Sequence, residues 1–372
     1  MSDPEQNKRT IRALRQASQA RALPRAFPGD AGSFERPNPL SGLSPREIIV
    51  SVDKPSEDDA DFATHAGAFP SQALGPTFLS YSPMRADADI VFEEWESMIY
   101  GGDGTLYNNQ YCWWLRLEGG QVVAMREYND SHHAWLIFGR AGKWPDLEPP
   151  TGPRHRHHVM GGTHTQNDDL DEVFEVVDEF DLAPAMLADI APAGPSEVPP
   201  TEDVKSIVRQ RRQALAAGDV RSLSRLHSPG FRHFIAGERP FGWDHLPLAA
   251  IYAPLVAHQA SPLNVRFGPV YADGDVGFEE MDIFARLDDG TVYHNWHTLV
   301  HEVRHGQIVQ TREYLDTRHV WIVLGRWAEW AAEPVRPRSV PRRSNLQEIA
   351  WTTQIPTMCC DLERWEPFEI NG

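Results

Sequence analysis

Two matching strings, separated by an offset of 186 residues from Arg126 to Arg312, constrain this chain more than any other feature of its sequence. Residues 122–135 read VVAMREYNDSHHAW and residues 308–321 read IVQTREYLDTRHVW. The same offset aligns FEEW at 92–95 with FEEM at 278–281 without a gap. Solenoid repeats have periods of about 20 to 50 residues, so a period this long indicates the duplication of a whole domain.

The length of the chain also favours two domains, because 372 residues exceed what one hydrophobic core usually fills. The linker between the copies is indicated by HRHH at 155–158, an acidic run and the Pro/Ala-rich APAGPSEVPP. The predicted organisation is an N-terminal arm over 1–45, a first domain over 46–145, a linker over 146–200, a second domain over 201–330 and a C-terminal tail over 331–372.

Charge and composition exclude several classes of partner. Fifty-three acidic residues against 35 basic ones give a net charge of −18, which opposes binding to nucleic acid or to an anionic membrane surface. No apolar run reaches the roughly 18 residues that a membrane span needs. Three cysteines are too few for a disulfide scaffold, so we predict a reducing, cytoplasmic location.

We predict that the protein uses neither a cofactor nor a metal. The sequence has no G-x-G-x-x-G, P-loop or G-x-S-x-G pattern. The histidine cluster at 155–158 and the adjacent Cys359 and Cys360 match no common zinc spacing.

The second copy has the clearer secondary-structure pattern. Thr201 is predicted to cap a helix that Gly218 ends, and Asp219 to cap a second, short helix. GFRHFIAG at 230–237 predicts a strand, and residues 244–259 predict a helix distorted at Pro254. Four extended segments follow, at 264–271, 276–287, 291–303 and 307–316, with turns at Gly290 and Gly306. This order predicts an α+β fold with helices on one face of a curved antiparallel sheet.

That order, with the motifs dGxxYxNxY and Q(V/I)V…REYxD, resembles the NTF2-like superfamily, and within it the SnoaL-like and ketosteroid-isomerase-like branch. The resemblance covers residues 201–327 and, through the repeat, 62–140. No two-helix segment precedes residue 62, so a helix near 7–21 is expected to stand in for it. The resemblance implies two cone-shaped domains, in a fold that hosts isomerases, dehydratases, cyclases, hydrolases and binding modules.

The resemblance and the alternation of side chains along strands together select the residues expected to line each cone. Glu127 and Glu313 match a pocket acid of the epoxide-hydrolase branch, but Glu94 and Glu280 stand where that branch has arginine, so we do not assign that activity. The expected lining residues of the first domain are Glu94, Glu96, Tyr107, Asn109, Tyr111, Trp113 and Glu127. Those of the second are Glu280, Asp282, Phe284, Tyr293, Asn295, His297 and Glu313, with His233 if its side chain points inward.

Three acids in a partly apolar cone cannot all ionise cheaply, so we expect at least one raised carboxyl pKa and a pair suited to acid/base chemistry. His297 is expected to pair with Asp282 or Glu313 and to carry protons. The first cone has Tyr111 in its place, which favours activity in the second domain.

Structural roles remain open for several of these positions. Arginines elsewhere in the chain are the alternative partners of Glu127 and Glu313, as structural ion pairs. Tyr128 and Asp130 are interpreted as sheet-back or turn residues, and His133 and His319 as interface or capping residues. Asn109 and Asn295 either orient a polar group of the substrate or form hydrogen bonds to the unpaired backbone of a β-bulge.

The predicted function is a cofactor-independent acid/base enzyme of the isomerase, dehydratase or cyclase type, acting on a mostly apolar or aromatic small molecule. The alternative is a non-catalytic small-ligand-binding or scaffold protein. The outer sheet faces are expected to carry exposed apolar residues, which need covering. We therefore predict that the two domains pair with each other as an intramolecular pseudo-dimer. The residues expected on these outer faces are Cys112, Trp114, Arg116 and Tyr128 in one copy and Trp296, Thr298, Val300 and Tyr314 in the other.

Overall fold

The computed structural model describes residues 3–22, 77–100, 106–139, 149, 151, 175–176, 203–237, 241, 248–260 and 263–332. The helices are α1 (Pro4–Ala22), α2 (Ser131–Ala134), α3 (Val204–Ala216), α4 (Val220–Leu226), α5 (Leu248–His258) and α6 (Thr317–Val323), with a π-helix at Trp135–Gly139 and a 3-10 turn at Glu329–Ala331. The strands are β1 (Thr77–Tyr81), β2 (Arg85–Asp87), β3 (Ile90–Tyr100), β4 (Leu106–Glu118), β5 (Gln121–Asn129), β6 (Glu175–Val176), β7 (His227–Ile235), β8 (Asn264–Phe267), β9 (Tyr271–Asp273), β10 (Val276–Arg286), β11 (Val292–Arg304) and β12 (Gln307–Leu315). None of the helices in these ranges is long and apolar enough to cross a membrane.

The strands form two sheets, one for each copy of the repeat, so the predicted α+β character is confirmed. The first sheet has the order β1-β3-β4-β5, with β2 paired to β3. The second has the order β6-β8-β10-β11-β12-β7, with β9 paired to β10 and with β7 parallel to β12. The short strand β6 lies within the predicted linker and pairs with β8.

The hairpin turns of the second sheet form where glycine was expected. Gly290 and Gly306 adopt φ values of 85° and 75°, in the left-handed region that glycine enters without steric cost. The predicted strand at 264–271 is divided into β8 and β9.

Aspartate residues stand at the N-cap positions of α3 and α4. Asp219 accepts a hydrogen bond from the backbone N–H of Ser222, as predicted for an N-cap. The preceding helix begins later than predicted, with Asp203 rather than Thr201 at its N-cap position. Pro254 lies inside α5, as expected.

The inner face of the second sheet, defined as the face covered by the helices, holds the largest apolar cluster. It includes Met281 and Ile283 of β10 with Tyr293 and Leu299 of β11, packed against residues of α5 such as Leu255. A second cluster lies under α3 and α4, where Ile207, Leu223 and Leu226 pack against Val303 and Ile308. Helix α1 packs on the first sheet in a similar way, because Ile11 shares a cluster with Val91, Leu115 and Leu117.

The outer faces of the two sheets pack on each other. Phe92 and Phe278, which correspond in the repeat, stack with ring centroids 4.9 Å apart. The Nε1–H of Trp114 donates to the hydroxyl of Thr298 at 2.7 Å. The shared cluster also contains these residues expected on outer faces: Cys112, Tyr128, Trp296, Val300 and Tyr314.

Candidate functional site

A layer of polar side chains crosses the inner face of the second sheet, between the cluster under α3 and α4 and the larger cluster beyond it. We call it the polar layer, and it comprises Arg211, Arg212, His227, His233, Glu279, His297, His301, Thr311 and Glu313. The strand pairing puts these side chains side by side: Glu279 lies opposite Leu299, Leu299 opposite Glu313, and Thr311 beside His233.

Glu313 is held between two histidines. Its Oε1 lies 2.5 Å from Nδ1 of His297, and its Oε2 lies 2.8 Å from Nε2 of His233. Burial alone would raise the pKa of Glu313, but the hydrogen bonds from His233 and His297 outweigh it and hold that pKa well below its usual 4.5. Glu313 is therefore a fixed carboxylate, and the expected pairing with His297 is confirmed.

His297 has a hydrogen-bond partner at only one of its two ring nitrogens in the part of the chain that the structure describes. The side chain is fully buried, Nδ1 is bound to Glu313, and Nε2 has no hydrogen-bond partner among the described residues. A histidine whose one nitrogen donates to a carboxylate exposes a basic lone pair on the other.

Glu279 is the second carboxylate of the polar layer. It accepts hydrogen bonds from Nε of Arg212 and, at 3.1 Å, from Nε2 of His301, whose Nδ1 lies 2.9 Å from the hydroxyl of Thr311. Burial opposes ionisation, yet the charge of Arg212 and the bond from His301 lower the pKa of Glu279 to about 2. Burial lowers the pKa of His301 to about 4, so this histidine is neutral at pH 7.

The expectation of three inward acids in the second copy is wrong. Glu280, Asp282 and Phe284 lie opposite Thr298, Trp296 and His294, on the outer face. Asp282 bonds His294 at 2.9 Å and also pairs with Arg266. The ring of Phe284 meets that of His294 edge to face at 5.4 Å.

The physical reason is that β10 is buried on both faces. Eight consecutive residues from Val276 to Ile283 are buried, so the sequence shows no alternation that would fix the phase of the strand. On the outer face, Glu280 meets Arg126 and Tyr128 of the other copy, whereas Asp282 meets Arg266 and His294 of its own sheet. That face therefore holds carboxylates that are paired there.

Glu280 and Glu94 are paired across the two copies in a reciprocal manner. Glu280 accepts hydrogen bonds from Arg126 at 2.6 Å and from the hydroxyl of Tyr128 at 2.6 Å. Glu94 accepts the corresponding bonds from Arg312 at 2.7 Å and from Tyr314 at 2.6 Å. In each Arg-Glu-Tyr triplet, the arginine and tyrosine therefore contact the other copy while the glutamate points inward.

The ends of β5 and β12 repeat this reciprocity. The hydroxyl of Thr317 donates to Asp130 at 2.7 Å, and the hydroxyl of Ser131 donates to Asp316. The Arg318 guanidinium lies 3.6 Å from the centre of the Trp135 ring. The corresponding pair in the repeat, His132 and Trp321, stacks with ring centroids 4.4 Å apart.

The predicted inner residues of the first copy lie together on one face of the first sheet, apart from the two glutamates of β3. Glu96, like Glu94, points outward, and accepts a hydrogen bond from Asn108 at 2.7 Å. The hydroxyl groups of Tyr107 and Tyr111 are 2.8 Å apart, and Tyr111 stacks on Trp95 at 3.8 Å. Burial raises the pKa of Tyr107 to about 12.

Glu127 sits in a different environment from its counterpart Glu313. It accepts a hydrogen bond from Trp113 at 2.5 Å and another from Asn129 at 3.2 Å. Burial raises the pKa of Glu127 more than these neutral donors lower it. The raised carboxyl pKa that we expected thus occurs in the first copy, whereas the resolved shifts of Glu279, Asp282 and Glu313 in the second are all downward.

Several expected site residues have structural partners. Asn109 and Asn295 each bridge to the backbone of the aspartate that caps the next helix, Asp130 or Asp316, at 3.1 Å. Nε2 of His133 accepts a bond from the backbone N–H of Asn108, and Nε2 of His319 accepts one from His294. The hydroxyl of Tyr293 accepts from Asn295 at 3.4 Å, and burial raises its pKa well above 10.

The sequence interpretation did not identify Arg211, Arg212, His227, Glu279 or His301 as site residues. Two consecutive arginines inside an amphipathic helix are a signal that a polar group lies beneath that helix. No group of three or more histidine, cysteine or acidic residues that could hold a metal is found within the described ranges. The histidine cluster at 155–158 and Cys359 and Cys360 lie outside those ranges.

Comparisons with known proteins place the likeness at the level of fold. No family model and no curated protein matches the chain. An NTF2-like protein of unknown function from Burkholderia pseudomallei is 14% identical, covers 33% of this chain and 98% of its own, with a TM-score of 0.28. A candidate SnoaL-like polyketide cyclase from Jannaschia is 14% identical over 36% of this chain and 98% of its own, with a TM-score of 0.27. A candidate polyketide cyclase from Streptomyces antibioticus is also 14% identical, covers 33% of this chain and 99% of its own, with a TM-score of 0.28. Over about one third of its length, the chain resembles NTF2-like and SnoaL-like structures.

Proposed function

We propose that the chain comprises two NTF2-like cones, with boundaries near 46–145 and 201–330, that pair as an intramolecular pseudo-dimer. The support is the reciprocity of the contacts: Arg126 and Tyr128 bind Glu280 as Arg312 and Tyr314 bind Glu94. An isologous interface has this property, because each patch is complementary to itself. Light scattering should then give the mass of one chain, and a tight tetramer would refute the proposal.

We further propose that the second cone is a cofactor-independent acid/base enzyme of the isomerase, dehydratase or cyclase type, whose substrate is a mostly apolar small molecule. One observation carries this proposal: His297 is oriented by a buried carboxylate at one nitrogen, and its other nitrogen has no hydrogen-bond partner within the described ranges. Groups with these properties are concentrated at catalytic sites.

In this mechanism, Nε2 of His297 takes a proton from a substrate carbon next to a carbonyl. Glu313 remains ionised and stabilises the imidazolium that forms, much as an aspartate supports a catalytic histidine. The same proton then returns to a different carbon in an isomerisation, or to a departing hydroxyl group in a dehydration. His233 holds the second oxygen of Glu313 and fixes its orientation.

The test is deuterium exchange from D2O into a panel of apolar cyclic ketones, followed by mass spectrometry. Protein-dependent exchange should be lost in His297→Gln and reduced in Glu313→Gln. Arg209→Met, at an exposed position on α3, is the matched control and should behave as the wild type. Equal exchange in wild type and His297→Gln would refute the mechanism.

A non-catalytic ligand-binding or scaffold role is the second candidate. It is favoured by the number of expected site acids that have structural partners, such as Glu94, Glu280 and Asp282. Under this reading, deletion of residues 331–372 abolishes function while substitutions in the polar layer leave it unchanged. The reverse pattern would exclude it.

A further inference from the structure

Arg211 is a buried cation of the polar layer that leaves two of its nitrogens without hydrogen bonds in the described ranges. The Arg211 side chain is 10% exposed, and its Nη1 lies 3.6 Å from Glu279, beyond hydrogen-bond distance. Neither Nε nor Nη1 of Arg211 has a hydrogen-bond partner in the described part of the chain. A guanidinium keeps its charge at any ordinary pH, so leaving its donors unsatisfied in the interior is costly.

Glu279 does not resolve this deficit. Its Oε2 accepts from Nε of Arg212, whose Nη2 donates to the backbone carbonyl of Gly268, and its Oε1 accepts from His301. The adjacent Arg212 therefore takes the hydrogen bond to Oε2 of this carboxylate. Arg211 is paired with Glu279 by charge at 3.6 Å, but its Nε and Nη1 donors have no acceptor among the described residues.

His227 is a second unsatisfied group near Arg211. It is 5% exposed, and neither of its ring nitrogens has a hydrogen-bond partner among the residues described. Burial and then the charge of Arg211 lower its pKa to about 2, so the ring is neutral and donates through one nitrogen. One face of the ring is stacked on Phe231, with centroids 3.9 Å apart.

From these contacts we infer that Arg211 and His227 bind the carboxylate of an organic acid whose remaining part is apolar. The planar fork of arginine matches the two oxygens of a carboxylate, and the imidazole N–H adds a third donor. Phe231 packs against the apolar cluster of Ile207, Leu226 and Ile308, which gives the body of the ligand an apolar environment. The inference rests on the proposed function in one respect, that the polar layer is the ligand site, and it names the substrate class.

The test uses benzoate as the probe and benzamide as its neutral analogue, with thermal unfolding as the readout on the full chain. Benzoate should raise the unfolding midpoint in a saturable way, whereas benzamide at the same concentration should not. Arg211→Met should weaken benzoate binding at least tenfold, and the control Arg209→Met, on the exposed side of the same helix, should bind as the wild type does.

His227→Phe is the second variant, because phenylalanine preserves the stack on Phe231 while removing both ring nitrogens. It should weaken benzoate binding several-fold, and unchanged binding in His227→Phe or Arg211→Met would overturn the inference. So would the absence of any benzoate effect up to about 10 mM, tenfold above a millimolar Kd. If benzamide alone binds, and His297→Gln abolishes that binding, the carboxylate site is refuted while the proposed acid/base site stands.

Discussion

Replacing Glu313 by glutamine should destabilise the protein strongly, whereas the same change at Glu127 should not. Glu313 is buried, ionised and bonded to two histidines, at 2.5 and 2.8 Å. Glutamine offers a single oxygen acceptor, so one of these contacts is lost and an NH2 group is left facing an imidazole. Hydrogen bonds to charged groups contribute about 1.5 to 3 kcal/mol each. We therefore expect a loss of about 3 kcal/mol.

Glu127 provides the matched comparison, because it occupies the corresponding position of the repeat. Its partners, Trp113 and Asn129, are neutral donors to separate oxygens, so glutamine keeps the short bond from Trp113 and loses only the longer bond from Asn129, at 3.2 Å. Burial raises the pKa of Glu127, so the charged form is held at a cost that the neutral amide removes. Glu127→Gln should leave the free energy of unfolding unchanged within about 1 kcal/mol, or increase it.

Thermal unfolding followed by circular dichroism distinguishes the two variants. At roughly 2 to 4 °C per kcal/mol for domains of 150 to 250 residues, Glu313→Gln should lower the midpoint by about 6 to 12 °C at pH 7. The pKa of Glu313 is depressed in the folded state, so its contribution is fully present above the usual 4.5 and is lost as the pH falls below it. A midpoint for Glu313→Gln equal to or above that of the wild type at pH 7 would refute this reading of the site.

The remaining predictions concern the contact between the two copies and the second carboxylate of the polar layer. Glu94→Gln should cost about 3 kcal/mol, and a double-mutant cycle with Arg312→Met in denaturant unfolding should show a coupling of at least about 1 kcal/mol, since the two side chains share two hydrogen bonds at 2.7 and 2.8 Å. Lys205→Met removes an ion pair with Asp87 in which both side chains are partly exposed, so the free energy of unfolding should change by no more than about 1 kcal/mol. A larger loss would contradict the expectation that buried ion pairs contribute more than exposed ones. Because the pKa of Glu279 is lowered to about 2, acidification from about pH 5 to pH 2 should cost the wild type about 3 kcal/mol more than Glu279→Gln in the free energy of unfolding. Parallel pH profiles of the two proteins would contradict that assignment.

The repeat made the strands predictable, but not the direction in which each side chain points. Strands β10, β11 and β12 lie within one residue of their predicted ends, and Gly290 and Gly306 form the turns. These features depend on local sequence, on turn glycines and on the spacing of apolar residues.

The phase of β10 depends on a partner that is distant in the sequence. Glu280 points outward towards Arg126 and Tyr128, which are more than 150 residues away in the sequence, whereas Asp282 on the same face pairs with Arg266 of the adjacent strand β8. In a strand buried on both faces, the composition carries no mark of which face is inner. Glu280 and Asp282 were therefore expected on the wrong face, whereas Glu313 and His297 point to the inner face as expected.

The two copies of the Arg-Glu-Tyr motif have equivalent contacts on the outer face and different surroundings on the inner face. Arg126 and Arg312 perform the same role at the interface, so the outward residues of the triplet are equivalent. The inward glutamates differ, since Glu127 meets Trp113 and Glu313 meets two histidines. A fused pair can thus keep its interface symmetric while its two inner faces diverge.

The protonation pattern of the His297 ring tests the central claim most directly. Side-chain 15N chemical shifts distinguish the two neutral tautomers, and the resonance is assigned by its absence in His297→Gln. We expect the neutral ring to carry its proton on Nδ1, donated to Glu313, and to leave Nε2 as the basic nitrogen, with this preference weakened in Glu313→Gln. A neutral ring protonated on Nε2 would leave no base at that nitrogen and would contradict the proposed mechanism.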